Sequence, residues 1–363
     1  MKTLLPESVR SKVEASLARF LIRNAVPILF TVLCLVGSYY ARLPLKFLLN
    51  DIIVRMARNS FLVISLIIPV LAGLGLNFGI VLGAMAGQIA VITVTYWEIG
   101  GITGFLLSML LALPYAILFG WLTGILFNRA KGKEMIAGLI LGFFANGLYQ
   151  LVFLFFVGTI IPFRNEYMLL STGIGLRNTV NLKGVHYALD NLLKVGVMGL
   201  NIPVATFASI VLLCLAIRFL FKTKLGQEFR SVGQNRYVAE VSGINVDRVR
   251  IIAVIFSTVL AAWGQLIFLQ NIGTLNTYGS HVQVGTFAVA ALLIGGATVS
   301  RATVGQALLG TFLFHLLFII SPLAGKNMMG SAQVGEYFRV FVAYGVIGVA
   351  LALHAWQNIA KKS

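Results

Sequence analysis

Apolar runs recur along the whole chain between short polar segments, at residues 25–41, 61–75, 78–96, 102–127, 135–157, 200–221, 251–270, 284–297, 304–320 and 338–355. Most are long enough to cross about 30 Å of hydrocarbon as an α-helix. The dyad alternation of a membrane β-barrel is absent. The pattern therefore predicts an all-α, polytopic integral membrane protein of about ten transmembrane helices. The runs at 61–75 and 284–297 are short and flanked by glycines, which predicts broken or re-entrant helices there. Backbone that is irregular at membrane depth must be buried in protein or face a water-filled cavity. Residues 44–59 space Phe47, Leu48, Ile52 and Ile53 as a helix would, and are expected to lie in the membrane interface rather than to cross it. Residues 60–158 and 251–355 each hold four runs and are separated by a single crossing, an offset that predicts inverted repeats.

Composition sharpens this picture. Of 363 residues, 59% are hydrophobic and 11% are charged, against about 25% charged in soluble domains. The net charge of +17 is carried by the segments between runs, not by one soluble face. That distribution argues for membrane topology and against nucleic acid. Arg129, Lys131 and Lys133, then Lys222, Lys224, Arg230, Arg236, Arg248 and Arg250, place residues 128–134 and 222–250 in the cytoplasm, and the number of runs puts both termini there. Residues 1–24 are expected to form a cytoplasmic amphipathic segment, since no small-residue cleavage site marks a signal peptide. Residues 25–357 form a single transmembrane domain with an outer loop at about 158–195, and 358–363 a cytoplasmic tail. Lys46, Arg55 and Arg58 are the misfit to the charge rule. Cys34 and Cys214 both lie in apolar runs and report nothing on redox compartment.

One cytoplasmic segment is unusually polar: R-S-V-G-Q-N-R-Y-V-A-E-V-S-G-I-N-V-D-R-V-R, from Arg230 to Arg250. Asn235 is a good N-cap, and Gly243 suits the C′ position, where a left-handed backbone costs least without a β-carbon. Between them lie about two helical turns, too few to be stable alone in water. That short helix either packs on its own membrane helices or docks into a soluble partner.

The segment resembles the cytoplasmic loop of the permease subunits of bacterial ABC importers for ribose and other simple sugars, nucleosides and branched-chain amino acids. The match rests on Gly233, Asn235, Ala239, Ser242, Gly243, Ile244, Asn245 and Val246. Ala288 to Val299, with Gly295 and Gly296, and Gly73 to Gln88 look like further parts of that family, so the resemblance covers about residues 44–355. It implies that Arg230, Gly233, Asn235, Arg236, Tyr237, Ala239, Glu240, Ser242, Gly243 and Asn245 form a coupling helix and its flanks, seated in a cleft of a separate ATPase. It also implies no cofactor in this chain, ATP and Mg in that ATPase, a second permease (identical or homologous), an extracytoplasmic solute-binding protein and the lipids of the bacterial cytoplasmic (inner) membrane. Residues 158–195, 276–283 and 325–336 are the expected docking surface for the binding protein.

The absences agree. No G-x-x-x-x-G-K-[ST] phosphate cradle occurs. Asp and Glu number 11 together, and within the runs only Glu98 and Glu336 lie near helix ends, which disfavours a proton- or sodium-coupled carrier. His186, His281, His315 and His354 show no metal-ligand spacing; His315, in mid-run, is either a hydrogen-bonded structural residue or a pathway residue. No paired carboxylates or nucleophile and base mark an enzyme. Asn77, Gln88, Asn146, Gln150 and Gln265 could line a translocation pathway with Phe78 and Phe144, and each amide could equally join neighbouring helices. The missing acidic groups argue against a cationic cargo. Asn77–Phe78–Gly79 resembles nucleoside and simple-sugar permeases, so a neutral nucleoside or sugar ranks first, a branched-chain amino acid second and a vitamin third. The different-class alternative is a stand-alone channel or scaffold.

Overall fold

The structure, a computed structural model, describes residues 24–360; the expected amphipathic segment lies, apart from Asn24, outside the described residues, as do residues 361–363. Each predicted run meets an apolar helix: α1 (Ala25–Ala41), α2 with α3 (Leu45–Ser65, Ile67–Leu71), α4 (Ile80–Tyr96), α5 (Gly101–Arg129), α6 (Glu134–Leu151, continued by a π-turn over Val152–Phe156), α7 (Val204–Leu220), α10 (Val246–Ile272), α11 (Ser280–Ile294), α12 (Val304–Met329) and α13 (Ala332–Ala360). Two shorter helices, α8 (Lys224–Gln234) and α9 (Arg236–Val241), occupy the polar segment between α7 and α10. Five of these helical spans are long and apolar enough to cross a membrane, and α1, α4 and α11 are shorter apolar helices.

The second crossing corrects the expectation for residues 44–59. Its helix starts at Leu45 and runs without interruption to Ser65, so this segment is part of the crossing and not an interfacial helix. Arg55 and Arg58 therefore sit inside a span, turned toward protein. A window that penalises charge cuts such a helix short, because it cannot know that the charged face meets neighbouring helices. The kink at Leu66 has a local cause: Pro69 has no N–H to give the Ser65 carbonyl.

The eighth run is short as expected and the second is broken at Leu66 within a longer helix; the short helices are α4, on the third run, and α11, on the eighth. At 17 and 15 residues they measure about 26 and 23 Å, less than the hydrocarbon thickness. Each follows a break, residues 72–79 and 273–279, and the first of these is packed in protein, with Leu74, Leu76 and Asn77 buried. Irregular backbone there is tolerated because protein surrounds it.

The two breaks lie at opposite ends of the bundle. Gly73 packs on the backbone of Gly233, beside the basic segment. The Leu182 N–H donates to the Gly273 carbonyl at 2.9 Å, at the other end. The first helix of each half therefore runs in the opposite sense, with α7 as the single crossing between the halves, as inverted repeats require.

The long α10 is the axis of one half and packs against α2, α4 and α5. The Gly83-x-x-x-Gly87 pair of α4 lets its backbone approach α10 so closely that a β-carbon would lie 2.5 Å from the Thr258 carbonyl and 2.6 Å from that of Ala262. Trp263 ties α10 to α5 by an indole bond to the Met109 carbonyl at 3.1 Å. In the other half α12 packs against α1, α2, α11 and α13. By contrast α6 is mostly uncovered, with Ile136, Ile140, Phe143, Phe144, Leu148 and Phe155 exposed.

The end opposite the basic segments carries the only strands among the described residues. β1 (Thr179–Asn181) pairs antiparallel with β4 (Thr274–Asn276), and β2 (Lys194–Val197) with β3 (Leu200–Pro203). The loop expected at 158–195 thus extends through a hairpin to Pro203, and the sixth crossing starts at Val204 instead of 200.

Candidate functional site

At the basic end, Thr223 caps α8 by accepting from the Gly226 N–H at 3.4 Å, and the helix turns 76° away from α7. It buries Gly226, Phe229 and Val232. Gly233 meets the Leu71 carbonyl and Gly73, which seats the segment on the end of α3. Arg230 lies over the Phe221 ring at 5.2 Å.

Asn235 then starts α9, its side-chain oxygen accepting from the Val238 N–H at 3.1 Å. The helix closes on two reversed bonds, Gly243 N–H to the Glu240 carbonyl at 3.0 Å and Ile244 N–H to the Ala239 carbonyl at 3.1 Å. These satisfy carbonyls that the helix end leaves free, and they require the left-handed backbone found at Gly243, φ +81°. Ser242 donates to the Val238 carbonyl at 2.8 Å. Asn245 caps the start of α10 through the Arg248 N–H at 3.0 Å.

One ion pair ties α9 to α10, and further side-chain bonds tie the start of α10 to α5 and α6. Arg236 pairs with Asp247 at 3.1 Å, and Asn128 donates to the Asp247 carbonyl at 2.8 Å. The buried Arg250 pairs with Glu134 at the start of α6. The helix turns Ala239 inward and leaves Tyr237 and Val241 75% and 72% exposed, with Glu240 also exposed. A two-turn helix held at both ends thus presents an apolar face outside the bundle.

The amides proposed for a pathway are mostly inside the bundle. Asn77 donates to the Ser257 hydroxyl at 3.3 Å and joins the break before α4 to α10; Phe78 is buried beside it. Gln88 and Asn146 are brought together by His281, whose ring nitrogens lie 2.9 Å from Gln88 Oε1 and 2.8 Å from Asn146 Oδ1. The Tyr149 ring packs against the same imidazole at 5.0 Å, tilted by 52°. Gln265 is buried with both amide atoms unpartnered, Gln150 is half-buried, and Phe144 is 67% exposed on the uncovered side of α6. His281 is the residue that sequence reading passed over; its signal was a histidine just ahead of a short apolar run. Among the described residues no three His, Cys, Asp or Glu side chains converge to hold a metal ion.

A separate cavity of about 260 Å³ opens between α2, α10, α11 and α12, near β4. Arg55, Arg58, Asn59, Phe268, Asn276, Gln283, Phe287, His315 and Phe318 line it, and none of the seven pathway candidates does. Arg55 pairs with Asp51 at 3.0 Å. Arg58 reaches the Asn271 side-chain oxygen at 3.4 Å and lies 5.6 Å from the centre of the Phe268 ring. The positive-inside misfit was the sequence signal for this site.

The sequence pattern of the family described as branched-chain amino acid transport system / permease component matches residues 48–351. The nucleoside ABC transporter permease NupC of Lactococcus lactis is 26% identical over 257 residues, 68% of this chain and 75% of the relative. The fructose import permease FruG of Bifidobacterium longum is 25% identical over 253 residues, 69% of this chain and 68% of the relative. The autoinducer 2 import permease LsrC of Photorhabdus luminescens is 27% identical over 343 residues, 93% and 86%. No solved structure matches. With an all-helical bundle of broken and whole spans and a capped helix projecting at its basic end, the chain belongs to the branched-chain amino acid transport permease family, as a multi-pass membrane subunit of the ABC importer type.

Proposed function

We propose that this chain forms the translocation pathway of an ATP-driven importer of a small polar solute, and that α9 is the element through which a separate ATPase drives it. The observation that carries the reading is α9 itself: a helix too short to stand alone, capped at both ends and fixed to the bundle, with Tyr237 and Val241 exposed beside several arginines. An apolar patch rimmed by polar residues is the usual mark of a protein contact. The basic end then faces the cytoplasm, the β-strand end faces a solute-binding protein, and the chain resides in the bacterial inner membrane with both termini inside. ATP and Mg belong to the ATPase.

Alternating access is the mechanism that this geometry supports. When two ATPases close, paired α9 helices from this chain and a second permease are drawn together. Motion passes through Asp247 and the Arg250–Glu134 pair into α10 and α6, the helices that meet the breaks before α4 and α11. Gln88, Asn146 and His281 offer exchangeable hydrogen bonds along the route. The relatives' names include a nucleoside, fructose and autoinducer 2, which supports a small polar cargo. Affinity purification of the tagged chain from native membranes, followed by mass spectrometry, tests the reading: an ATPase, a second permease and a binding protein should accompany it. A lone chain, under conditions that hold a control importer together, contradicts it and favours a stand-alone channel or scaffold.

A further inference from the structure

We infer that the cavity between α2, α10, α11 and α12 is a binding site for a small organic anion, a carboxylate or phosphate on a compact apolar or ring-shaped body. Calling that occupant cargo rests on the permease reading; the site itself does not.

The argument starts from charge. Two arginines line the cavity and no acidic side chain does. The nearby carboxylates are engaged elsewhere: Asp51 holds Arg55 at 3.0 Å, and Asp190 is taken by Thr206 and by Asn271 at 2.6 Å. Arg58 appears in no ion pair, and its Nε is buried without an acceptor. A cation inside a membrane span is costly unless something compensates it, and one amide oxygen with one aromatic face compensates it only in part.

A second, independent group makes the same demand. His315 is 6% exposed, lines the same cavity, and has no partner for Nδ1. Buried polar groups are normally hydrogen-bonded, so an orphan on a cavity wall points to an occupant. A guanidinium and an imidazole lining one cavity, each with an unpartnered nitrogen, fit a carboxylate or phosphate. Phe268, Phe287 and Phe318 supply the apolar part of the lining, the last two edge to face at 5.1 Å. The expectation of a neutral cargo rested on the missing acidic groups and on Asn77–Phe78–Gly79, and left Arg55 and Arg58 out of account; inside α2 they favour negative charge.

Benzoate and its neutral isostere benzamide test the site on the purified full-length chain in nanodiscs, by calorimetry at millimolar concentration. Benzoate should bind at least about ten-fold more tightly, the worth of one charge-assisted hydrogen bond. Arg58→Gln should abolish the preference without lowering the unfolding temperature; the comparison of the two probes on the unaltered chain stands even if that variant fails to fold. Equal binding of the two probes, or none of benzoate, overturns the inference. Benzoate binding seen in phosphatidylcholine nanodiscs and lost in phosphatidylglycerol marks a lipid-headgroup site and overturns the solute reading. None of these outcomes involves an ATPase, so the anion site and the permease assignment fail separately.

Discussion

Gly243 is the residue on which the shape of α9 and its exit turns. Nothing lies within 4 Å of where its β-carbon would be, so a substitution there costs backbone conformation alone. A left-handed backbone is roughly 1–2 kcal/mol worse for an ordinary L residue and milder for asparagine. Gly243→Val should therefore fray α9 and uncouple ATP hydrolysis from uptake in proteoliposomes, while Gly243→Asn keeps most of the coupling; equal coupling in both variants would remove Gly243 from the mechanism. The Arg250–Glu134 pair makes a different prediction. Breaking a buried pair from one side costs about 3–5 kcal/mol, and replacing both partners by apolar residues often costs little. Glu134→Ala should lower thermal stability sharply, and adding Arg250→Met should restore most of it.

At this scale the sequence was legible where bonding is local. Asn235 and Gly243 cap α9 through bonds that span at most five residues, so their roles could be read from spacing. Arg58 and His281 were not legible in that way. Their partners Asn271, Gln88 and Asn146 come from other helices, and only the fold says which face of a span looks at which neighbour.

Among elements, the contacts of α4 and α11 decide whether the breaks can be held at membrane depth. α11 crosses α12 where Gly310 allows so close an approach that a β-carbon would meet the Ala291 carbonyl. Gly310→Val should prevent the two helices from seating, and overpacking of this kind costs about 1–3 kcal/mol or more. Size-exclusion chromatography of a fluorescent fusion would show it as loss of the folded peak, whereas Gly305→Val, at a site with open space, should leave the peak in place. The ten helices were visible from hydropathy because lipid demands continuous apolar length. The start of α2 was not, since Arg55 and Arg58 interrupt that pattern for reasons of the interior. The hairpin of β2 and β3 also escaped, because β2 exposes all its side chains and β3 buries only Pro203, so the pair carries no clear burial signal.

For the molecule as a whole, inverted halves and an even number of crossings put both described ends of the chain at the basic end. Single cysteines at Lys131 and Tyr167, in a background lacking Cys34 and Cys214, should be labelled from opposite sides by a membrane-impermeant maleimide in intact cells: Tyr167→Cys from outside, Lys131→Cys only after permeabilisation. Labelling of both from one side would contradict the topology. The exposed apolar side of α6, with Phe143 and Phe144, is where lipid or a second permease would lie.

The measurement that bears most directly on the account is site-specific photocrosslinking from α9 in native membranes. A photoreactive residue at Tyr237 or Val241 should capture an ATPase subunit, and the same group at Phe144 on α6 should capture none. Crosslinks from Tyr237 and Val241 that fall only within this chain or on lipid would contradict the claim that α9 is the point at which ATP hydrolysis reaches the permease.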